Sequence, residues 1–137
     1  MTSRIEPVSE ADYAALADFR QTLRQFLHFS AEAARGAGLS AEQHQALLAI
    51  KGFGVVSQIS VGELAERLDR KPHTTVGLVD RLAKAGLVKR VPDPADGRRV
   101  RLALTRAGEN RLEKLSAVHR DELRRLRPVL SGMLARL

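Results

Sequence analysis

The sequence predicts a mainly α-helical protein with one small β-hairpin. Along most of the chain, apolar residues recur three and four positions apart, which is the repeat of an amphipathic helix. Between residues 87 and 104 the repeat changes to two, as in strands, and a turn rich in Pro, Asp and Gly interrupts it. The 137 residues are 44% hydrophobic and 28% charged and include no cysteine, which predicts one globular domain without disulfides.

Two helices are predicted in the N-terminal half. The first covers residues 10–37, where two glycines stop it. The second begins after Ser40, whose hydroxyl can form a capping box with Gln43, and it ends near Lys51. One apolar stripe on the first helix is expected to be buried, and it consists of Leu16, Phe19, Leu23, Phe26 and Leu27.

A short helix and a longer one follow, joined by a tight connection at residues 69–71. Ser60 and Glu63 form a second capping box, which opens the short helix. Pro72 fits the first turn of the longer helix, where its missing N–H costs nothing, and Gly86 ends that helix. The apolar side of the longer helix that is expected to face the core consists of Val76, Val79, Leu82 and Ala83.

Two strands and a last helical region complete the predicted fold. Residues 87–91 and 99–104 read as strands, and residues 92–98 form the turn between them. Thr105 then caps a helical region that extends to the C-terminus. Because proline lacks an N–H and crowds the preceding turn, Pro128 is expected to kink or divide this region.

Two short helices joined by a tight turn and followed by a hairpin form a winged helix-turn-helix. The charge of the chain is concentrated in the same place. Residues 67–106 carry 11 Lys and Arg against 4 Asp and Glu, whereas residues 1–66 carry 5 against 8. A helix fits the major groove of DNA, and a basic surface suits its phosphates. The sequence therefore predicts double-stranded DNA as a partner.

The start of the longer helix and the tip of the hairpin hold the candidates for DNA contacts. The helix start is polar and positively charged, and its free backbone N–H groups favour an anion. The arginine-rich tip, flanked by Arg90 and Arg101, can lie over the phosphates with one arginine in the minor groove. The predicted DNA-binding residues are Ser60, Lys71, His73, Thr74, Thr75, Arg81, Lys89, Arg98 and Arg99.

Several of these segments closely resemble the multiple-antibiotic-resistance regulator (MarR) family. The helix-turn-helix resembles it at Ile59–Leu68 and His73–Leu82, and the next turn resembles it at Ala85–Val88. The hairpin segment Asp93–Thr105 matches the wing of that family, which is a specific motif. Together with the segment Gln43–Gly52 and the first helix, the resemblance covers nearly the whole chain.

The resemblance implies one MarR-like domain over residues 1–137 that forms a homodimer on a pseudo-palindromic operator. The winged unit would cover about residues 40–105, and the dimerisation helices would cover about 10–37 and 106–137. Arg98 resembles the wing arginine that enters the minor groove, with Asp96 as its orienting partner. Some members of the family are thiol sensors, and this chain departs from them because it has no cysteine.

A small-molecule effector is a further expectation, since some members release DNA when a small, often aromatic, acid binds. A small aromatic or lipophilic effector would bind at the junction of the first, second and last helices. The apolar walls of this predicted pocket are Phe26, Phe29 and Leu47, and its polar groups are Arg24, His28 and His44.

No motif of an enzyme is present, and neither a cofactor nor a metal is predicted. The histidines lack the spacing of a helix-borne metal site, although a site assembled from His28 or His44 with Glu32 or Glu42 stays open. No apolar run is long enough to span a membrane, and the N-terminus lacks a signal peptide, so a cytoplasmic protein is expected.

Two other kinds of binding protein were weighed against a DNA-binding regulator. Proteins that bind RNA or single strands stack bases on aromatic side chains, and no aromatic residue follows Phe53. A winged helix that binds a partner protein instead of an operator is the remaining alternative. The loss of the basic hairpin tip would favour it, but Lys89, Arg98 and Arg99 are present.

Overall fold

The computed structural model describes residues 4–53 and 58–137. This part of the chain forms five helices and three short strands, and it confirms the mainly α-helical class with a small β wing. In chain order the elements are α1 (Glu10–Gly36), α2 (Ala41–Phe53), β1 (Ile59–Ser60), α3 (Val61–Arg67), α4 (Pro72–Lys84), β2 (Val88–Pro92), β3 (Val100–Leu104) and α5 (Arg106–Ala135).

Local side-chain chemistry sets the helix starts. A helix N-terminus leaves its first N–H groups unpaired, and a capping side chain satisfies one of them. The starts that the sequence predicted at Pro72 and Thr105 are confirmed, and the Thr105 hydroxyl accepts from the Gly108 N–H at 3.1 Å. Reciprocal capping boxes open the first three helices, and they join Ser9 with Asp12, Ser40 with Gln43, and Ser60 with Glu63.

The sheet has three antiparallel strands in the order β1-β3-β2. The predicted hairpin of β2 and β3 is confirmed, with Val88 opposite Leu104. The sequence did not predict β1, which pairs Ile59 with Leu102. A two-residue strand is too short to show an alternating pattern, so only its partner strand reveals it.

The core lies between α2, α3, α4, the sheet and the start of α5. On α4 the buried face differs from the predicted one, because it is rotated around the helix axis. Val76 is exposed, whereas Thr75 and Leu78 are buried together with Val79 and Leu82. A polar Thr at a core position and an apolar Val on the surface make the pattern of this helix ambiguous. The fully buried larger side chains are Leu47, Ile59, Leu64, Thr75, Val79, Leu82, Leu87 and Leu102.

The last helix runs through its proline. Pro128 was expected to kink or divide this region, and the division is wrong, because α5 is one helix of 30 residues with Pro128 inside it. Proline removes one hydrogen bond to the carbonyl four residues before it, here that of Arg124. Both residues are exposed, so water can satisfy the freed carbonyl at little cost.

The apolar stripe of α1 is only partly covered within one chain. Leu16, Leu23 and Leu27 are between 40% and 54% exposed, although burial was expected from their spacing. The facing helix α5 leaves Leu123 and Leu134 exposed as well. Apolar side chains that continue a helical stripe and lie on the surface are typical of an interface.

Gly108 brings α5 into direct contact with the chain that leaves α4. A Cβ atom at this position would lie 2.1 Å from the carbonyl oxygen of Leu87. The Thr105 N–H donates to the same oxygen at 3.0 Å, and the Thr105 hydroxyl donates to the Gly86 carbonyl at 2.6 Å. The wing and the first turn of α5 are thereby fixed to one short segment of backbone.

This contact predicts that Gly108→Ala destabilises the protein by about 1–3 kcal/mol, because the backbone has no room for a methyl group. Gly77→Ala is the matched control. Its Cβ would have only the Arg81 guanidinium at 3.7 Å, so alanine in this helix interior should be stabilising by about 0.5–1 kcal/mol. Urea unfolding followed by circular dichroism measures both free energies of unfolding. Equal effects of the two variants would contradict the close approach at Gly108.

Candidate nucleic-acid interface

The turn between α3 and α4 fixes the direction in which α4 leaves the core. Asp69 adopts a left-handed backbone conformation with φ of 51°, which aspartate tolerates better than most residues. The Arg70 N–H then donates to the carbonyl of Ala65 at 2.9 Å, which closes the end of α3. Because the turn is this tight, the N-terminus of α4 emerges directly beside α3.

The first turn of α4 is exposed and carries no negative charge. Lys71 is its N-cap residue but forms no capping hydrogen bond through its side chain, and no acidic residue lies in this turn. His73 and Thr74 are both exposed. Uncapped N–H groups and the positive end of the helix dipole together attract an anion such as a phosphate.

Two of the predicted DNA contacts are wrong, because their side chains face the protein interior. Thr75 is 1% exposed, and its hydroxyl donates to the Lys71 carbonyl at 3.1 Å. Ser60 is buried, and its hydroxyl accepts from the Glu63 N–H. Both residues shape the helix starts instead. A hydroxyl that caps or back-bonds to a helix has the same sequence signature as one that meets DNA.

The outward side of α4 is nevertheless well defined. The buried positions of the helix lie on one side, so the opposite side presents His73, Gly77 and Arg81. Gly77 adds no side chain there, and Arg81 extends beside it. A ligand can approach the helix backbone closely at Gly77, and polar side chains lie on either side of that position.

A buried carboxylate organises the wing between β2 and β3. Asp93 accepts from the Ala95 N–H at 2.9 Å and from Arg101 Nε at 3.0 Å. The hydrogen bond from Ala95 and, secondly, the charge of Arg101 hold the pKa of the Asp93 carboxyl below its usual value. Arg101 also donates to the Gln58 carbonyl, which links the wing to the segment before β1. Asp93 therefore sets the shape of the loop.

The basic residues of the wing divide into two groups. Arg101 pairs with Asp93, and Arg90 pairs with Asp80 of α4, so each of these two arginines that flank the tip has a carboxylate partner. Arg98 and Arg99 are exposed and form no ion pair with any residue in 4–53 or 58–137. Lys89 is also exposed, but it lies away from the tip, opposite Ala103.

Asp96 supports the wing through the backbone. Its Oδ1 accepts from the Arg98 N–H at 3.0 Å, and its carbonyl accepts from the Arg99 N–H at 3.0 Å. This hydrogen bond orients the main chain of Arg98 while its guanidinium points free of the loop carboxylates. The tip therefore presents two cations on a loop that is closed by its own hydrogen bonds.

Sequence reasoning missed the two acids that neutralise arginines here, Asp80 and Asp93. Asp93 was predicted only as part of the turn, and Asp80 was given no role. The available signal was the separation of Asp93 from Arg101 across one hairpin, which brings the two side chains together once the strands pair. Asp80 and Arg90 lie in different elements, so only the packing of α4 on β2 joins them.

The six residues of the predicted effector pocket do not share one environment. Arg24 and His28 are exposed on α1, and Leu47 is fully buried in the core. Phe26, Phe29 and His44 gather instead around His119 of α5, with ring centroids 6.0, 5.5 and 4.7 Å from its ring. The predicted pocket is therefore filled in part by packed aromatic rings. The spacing of apolar residues in the sequence could not distinguish such packing from an open pocket.

A cleft of about 630 Å³ lies nearby, between the C-terminal end of α1 and the first half of α5. Small residues, including Ala33 and Ala107, form part of its lining, and Leu115 adds an apolar wall. Arg111 and Lys114 are the cations that line it. None of the predicted pocket residues belongs to this lining.

The described segments add two limits on other functions. Within residues 4–53 and 58–137, no three His, Asp or Glu side chains are grouped as metal ligands, so the site that the sequence left open for His28 or His44 with Glu32 or Glu42 is not supported. In the same segments, every helix is too short or too polar to cross a membrane.

The wing geometry predicts that Asp93→Asn lowers the melting temperature, because the amide keeps the bond from Ala95 but loses the ion pair with Arg101. The native pKa of Asp93 is lowered, so its carboxylate stabilises the fold above pH 3.8, the ordinary value, and this stabilisation is lost as the pH falls below it. The difference between variant and wild type should therefore shrink in acid. Asp96→Asn, which keeps its backbone bond, is the control, and an equal loss there would refute the role of the ion pair.

Comparison with known proteins agrees with this geometry. Residues 37–99 match the MarR family. A 69-residue segment is 36% identical to an uncharacterised helix-turn-helix-type transcriptional regulator, YsmB of Bacillus subtilis (strain 168), and it spans 50% of this chain and 47% of that protein. The chain thus spans about half the length of the curated relative that it matches.

Solved structures extend the similarity beyond that segment. A MarR family protein from Bacillus stearothermophilus is 26% identical, with a TM-score of 0.75 over 88% of this chain and 82% of that one. An S. aureus MepR mutant bound to an oligodeoxyribonucleotide is 20% identical, with a TM-score of 0.69 over 90% and 96% of the two chains. Residues 37–99 are therefore similar to the MarR family in sequence, and the winged unit and the two long helices share the fold of these solved structures.

Proposed function

We propose that this chain is a transcriptional regulator that binds a pseudo-palindromic operator in double-stranded DNA as a homodimer and acts as a repressor. The whole of residues 1–137 forms one MarR-like domain in this proposal. The winged unit, about residues 40–105, binds DNA, and the helices at about 10–37 and 106–137 form the dimer.

One observation carries the proposal: two unneutralised basic elements lie next to each other in the winged unit. The first is the uncapped, acid-free start of α4 with Lys71 and His73. The second is the wing tip with Arg98 and Arg99, whose cations no carboxylate in the described residues pairs. Of the acids in this region, Asp80 and Asp93 each bind another arginine, whereas Glu63, Glu66 and Asp69 line one cleft with Pro72 and Arg99 without forming an ion pair with any described residue. An arrangement that leaves these cations open suits a polyanion with two grooves.

The related proteins support the same conclusion. The curated relative is named as a helix-turn-helix-type transcriptional regulator, and the MepR mutant of similar fold is bound to an oligodeoxyribonucleotide. In our proposal α4 enters the major groove, where His73, Thr74 and Arg81 meet base edges or phosphates. Arg98 enters the minor groove, and Lys71, Lys89 and Arg99 contact phosphates.

A homodimer is the arrangement that explains the apolar faces of α1 and α5. In the monomer Leu16 and Leu27 of α1 and Leu123 and Leu134 of α5 are exposed. Two-fold pairing of these helices would bury them and would place two winged units side by side. The two recognition helices would then read half-sites about one helical turn, roughly 10 bp, apart.

We further propose a small aromatic or lipophilic acid as the effector that releases DNA. The α1–α5 cleft has the chemistry for such a molecule, because apolar side chains line it together with Arg111 and Lys114. The effector would act by binding the dimer geometry that does not fit DNA more tightly than the geometry that does. A ligand that binds both geometries equally does not change the equilibrium between them. Titration of aromatic acids into a protein–DNA complex, followed by fluorescence anisotropy, measures whether DNA is released.

Arg98→Ala should weaken binding to a duplex selected from a random-sequence pool by about 1–3 kcal/mol, because it removes a minor-groove contact. The slope of the logarithm of the binding constant against the logarithm of the salt concentration should also become shallower by about one unit. Fluorescence anisotropy with labelled duplex measures both quantities. Unfolding in urea should be unchanged, because Arg98 forms no ion pair within the described residues.

Arg35→Ala is the matched control, since Arg35 is an exposed arginine of α1 that pairs only with neighbouring Glu32. It should leave DNA affinity unchanged. If the selection enriches no sequence, and the chain instead binds all duplexes equally or none, the operator proposal fails. The protein-interaction alternative would then account for the winged unit.

Leu23→Glu combined with Leu134→Glu should convert the dimer into a folded monomer, because charged side chains would oppose burial of the α1 and α5 faces. Both residues are exposed in one chain, at 40% and 60%, so the monomer fold should survive. Leu48→Glu is the control, since Leu48 is 50% exposed but lies on α2. Sedimentation velocity measures the assembly, and a wild-type monomer at tens of micromolar would refute the dimer.

A further inference from the structure

Two histidines from different parts of the fold stack against each other in the interior. His44 of α2 and His119 of α5 have ring centroids 4.7 Å apart. His119 also meets Ser30 of α1, whose hydroxyl lies 2.8 Å from its Nε2 atom. The pair therefore joins α2, which packs in the winged unit, to the α1–α5 helix pair.

The two imidazoles differ in how they can hold a proton. His119 Nδ1 donates to the Leu115 carbonyl at 2.6 Å, so in the neutral ring Nε2 accepts from the Ser30 hydroxyl. When His119 is protonated, that hydroxyl can turn and accept instead. His119 thus has a partner for both nitrogens in either charge state.

His44, in contrast, lacks a hydrogen-bond partner for one of its ring nitrogens in the described part of the chain. It is 4% exposed, and its Nδ1 is the one buried side-chain nitrogen or oxygen without a hydrogen-bond partner among the described residues. A proton on Nδ1 would place a buried N–H and a positive charge where no acceptor lies. Burial and, secondly, the neighbouring His119 both lower the pKa of His44 below its ordinary 6.5.

No carboxylate in the described residues forms a hydrogen bond or an ion pair with either histidine. The aromatic and hydrogen-bonding neighbours of the pair on α1 are Phe26, Phe29 and Ser30, none of which is ionisable, and its hydrogen-bond partner on α5 is the backbone of Leu115. The acids near these positions in sequence bind arginines, in the pairs Glu32 with Arg35, Glu42 with Arg70, Asp121 with Arg120, and Glu122 with Arg125. His28, the other histidine of α1, is exposed.

We propose that the His44–His119 pair is a proton-operated switch, in which acid weakens DNA binding by moving α2 away from α5. The packed arrangement resists a proton on His44, because the buried Nδ1 atom has no acceptor among the described residues. An arrangement in which the two rings are apart and hydrated accepts that proton. Acid therefore favours the separated arrangement, because it binds one proton more.

The expected consequence rests on the proposed function. Movement of α2 relative to α5 would turn each winged unit with respect to the helices that form the dimer. The spacing of the two recognition helices would change, and the operator selects one spacing. One extra proton can change the equilibrium between the packed and the separated arrangement by at most tenfold for each pH unit below the ordinary pKa of histidine. The loss is confined to the range between pH 6.5 and the lowered pKa of His44.

The test compares wild-type protein with His44→Leu, using a selected duplex and fluorescence anisotropy between pH 7.5 and 5.5. Wild-type affinity should fall about tenfold relative to that of His44→Leu. His73 is present in both proteins, so its own effect on DNA binding cancels in the comparison. Gln45→Leu, the same substitution type at the exposed neighbouring position, should keep the wild-type pH profile. Identical profiles for wild type and His44→Leu would overturn the switch.

A second measurement does not depend on DNA or on a variant that folds. Histidine ring resonances of the wild-type protein are followed by NMR as the pH is lowered. The His44 ring should take up its proton below the ordinary pKa of 6.5, because burial and, secondly, the neighbouring His119 disfavour its charged form. Titration of His44 at or above 6.5 would overturn the proposal. If the pKa of His44 is lowered but no duplex is bound at any pH, the proposed DNA-binding function fails while the histidine pair stands.

Discussion

The contact between α5 and the backbone of Gly86 and Leu87 holds the two halves of this fold together. Thr105 donates to both carbonyls, and Gly108 allows the first turn of α5 to lie against the oxygen of Leu87. That backbone segment ends the recognition helix and begins the wing. The start of α5 is consequently fixed to the elements proposed to touch DNA, and a movement of α5 would be transmitted to them.

The second constraint is electrostatic. The central segment is strongly basic, yet its arginines serve different purposes. Arg90 and Arg101 are held by carboxylates and define where the wing lies relative to α4 and β1. Arg98 and Arg99 remain at the tip without such partners in the described segments. A basic surface alone attracts any polyanion, but a fixed loop that aims two cations beside an open helix start can match the grooves of a duplex.

The helical layer has a complementary role. The outer faces of α1 and α5 are apolar and exposed, whereas their inner faces meet α2 around the two stacked histidines. A proton, an effector in the α1–α5 cleft and the dimer contact would therefore all act on the same pair of helices. Control of DNA binding in this proposal comes from the geometry of that layer, since none of these signals needs to reach the DNA-contacting side chains directly.

The sequence by itself determined the helix starts at Ser40, Ser60, Pro72 and Thr105 and the hairpin that follows Gly86. These features depend on residues within a few positions of one another, so capping and turn chemistry reveal them. The resemblance to the MarR family followed from the same local motifs. The basic tip, which carries the proposed function, was also evident because its charges are consecutive in the chain.

Only the tertiary structure decided which side chains face inward. Thr75 and Ser60 had the chemistry of DNA contacts but are buried, and Val76 had that of a core residue but is exposed. The ion pair of Asp80 with Arg90 and the stack of His44 on His119 join different elements. Periodicity gives the repeat of a helix, but the phase of its buried face depends on what packs against it. Contacts between distant residues are fixed by that packing, which no local pattern contains.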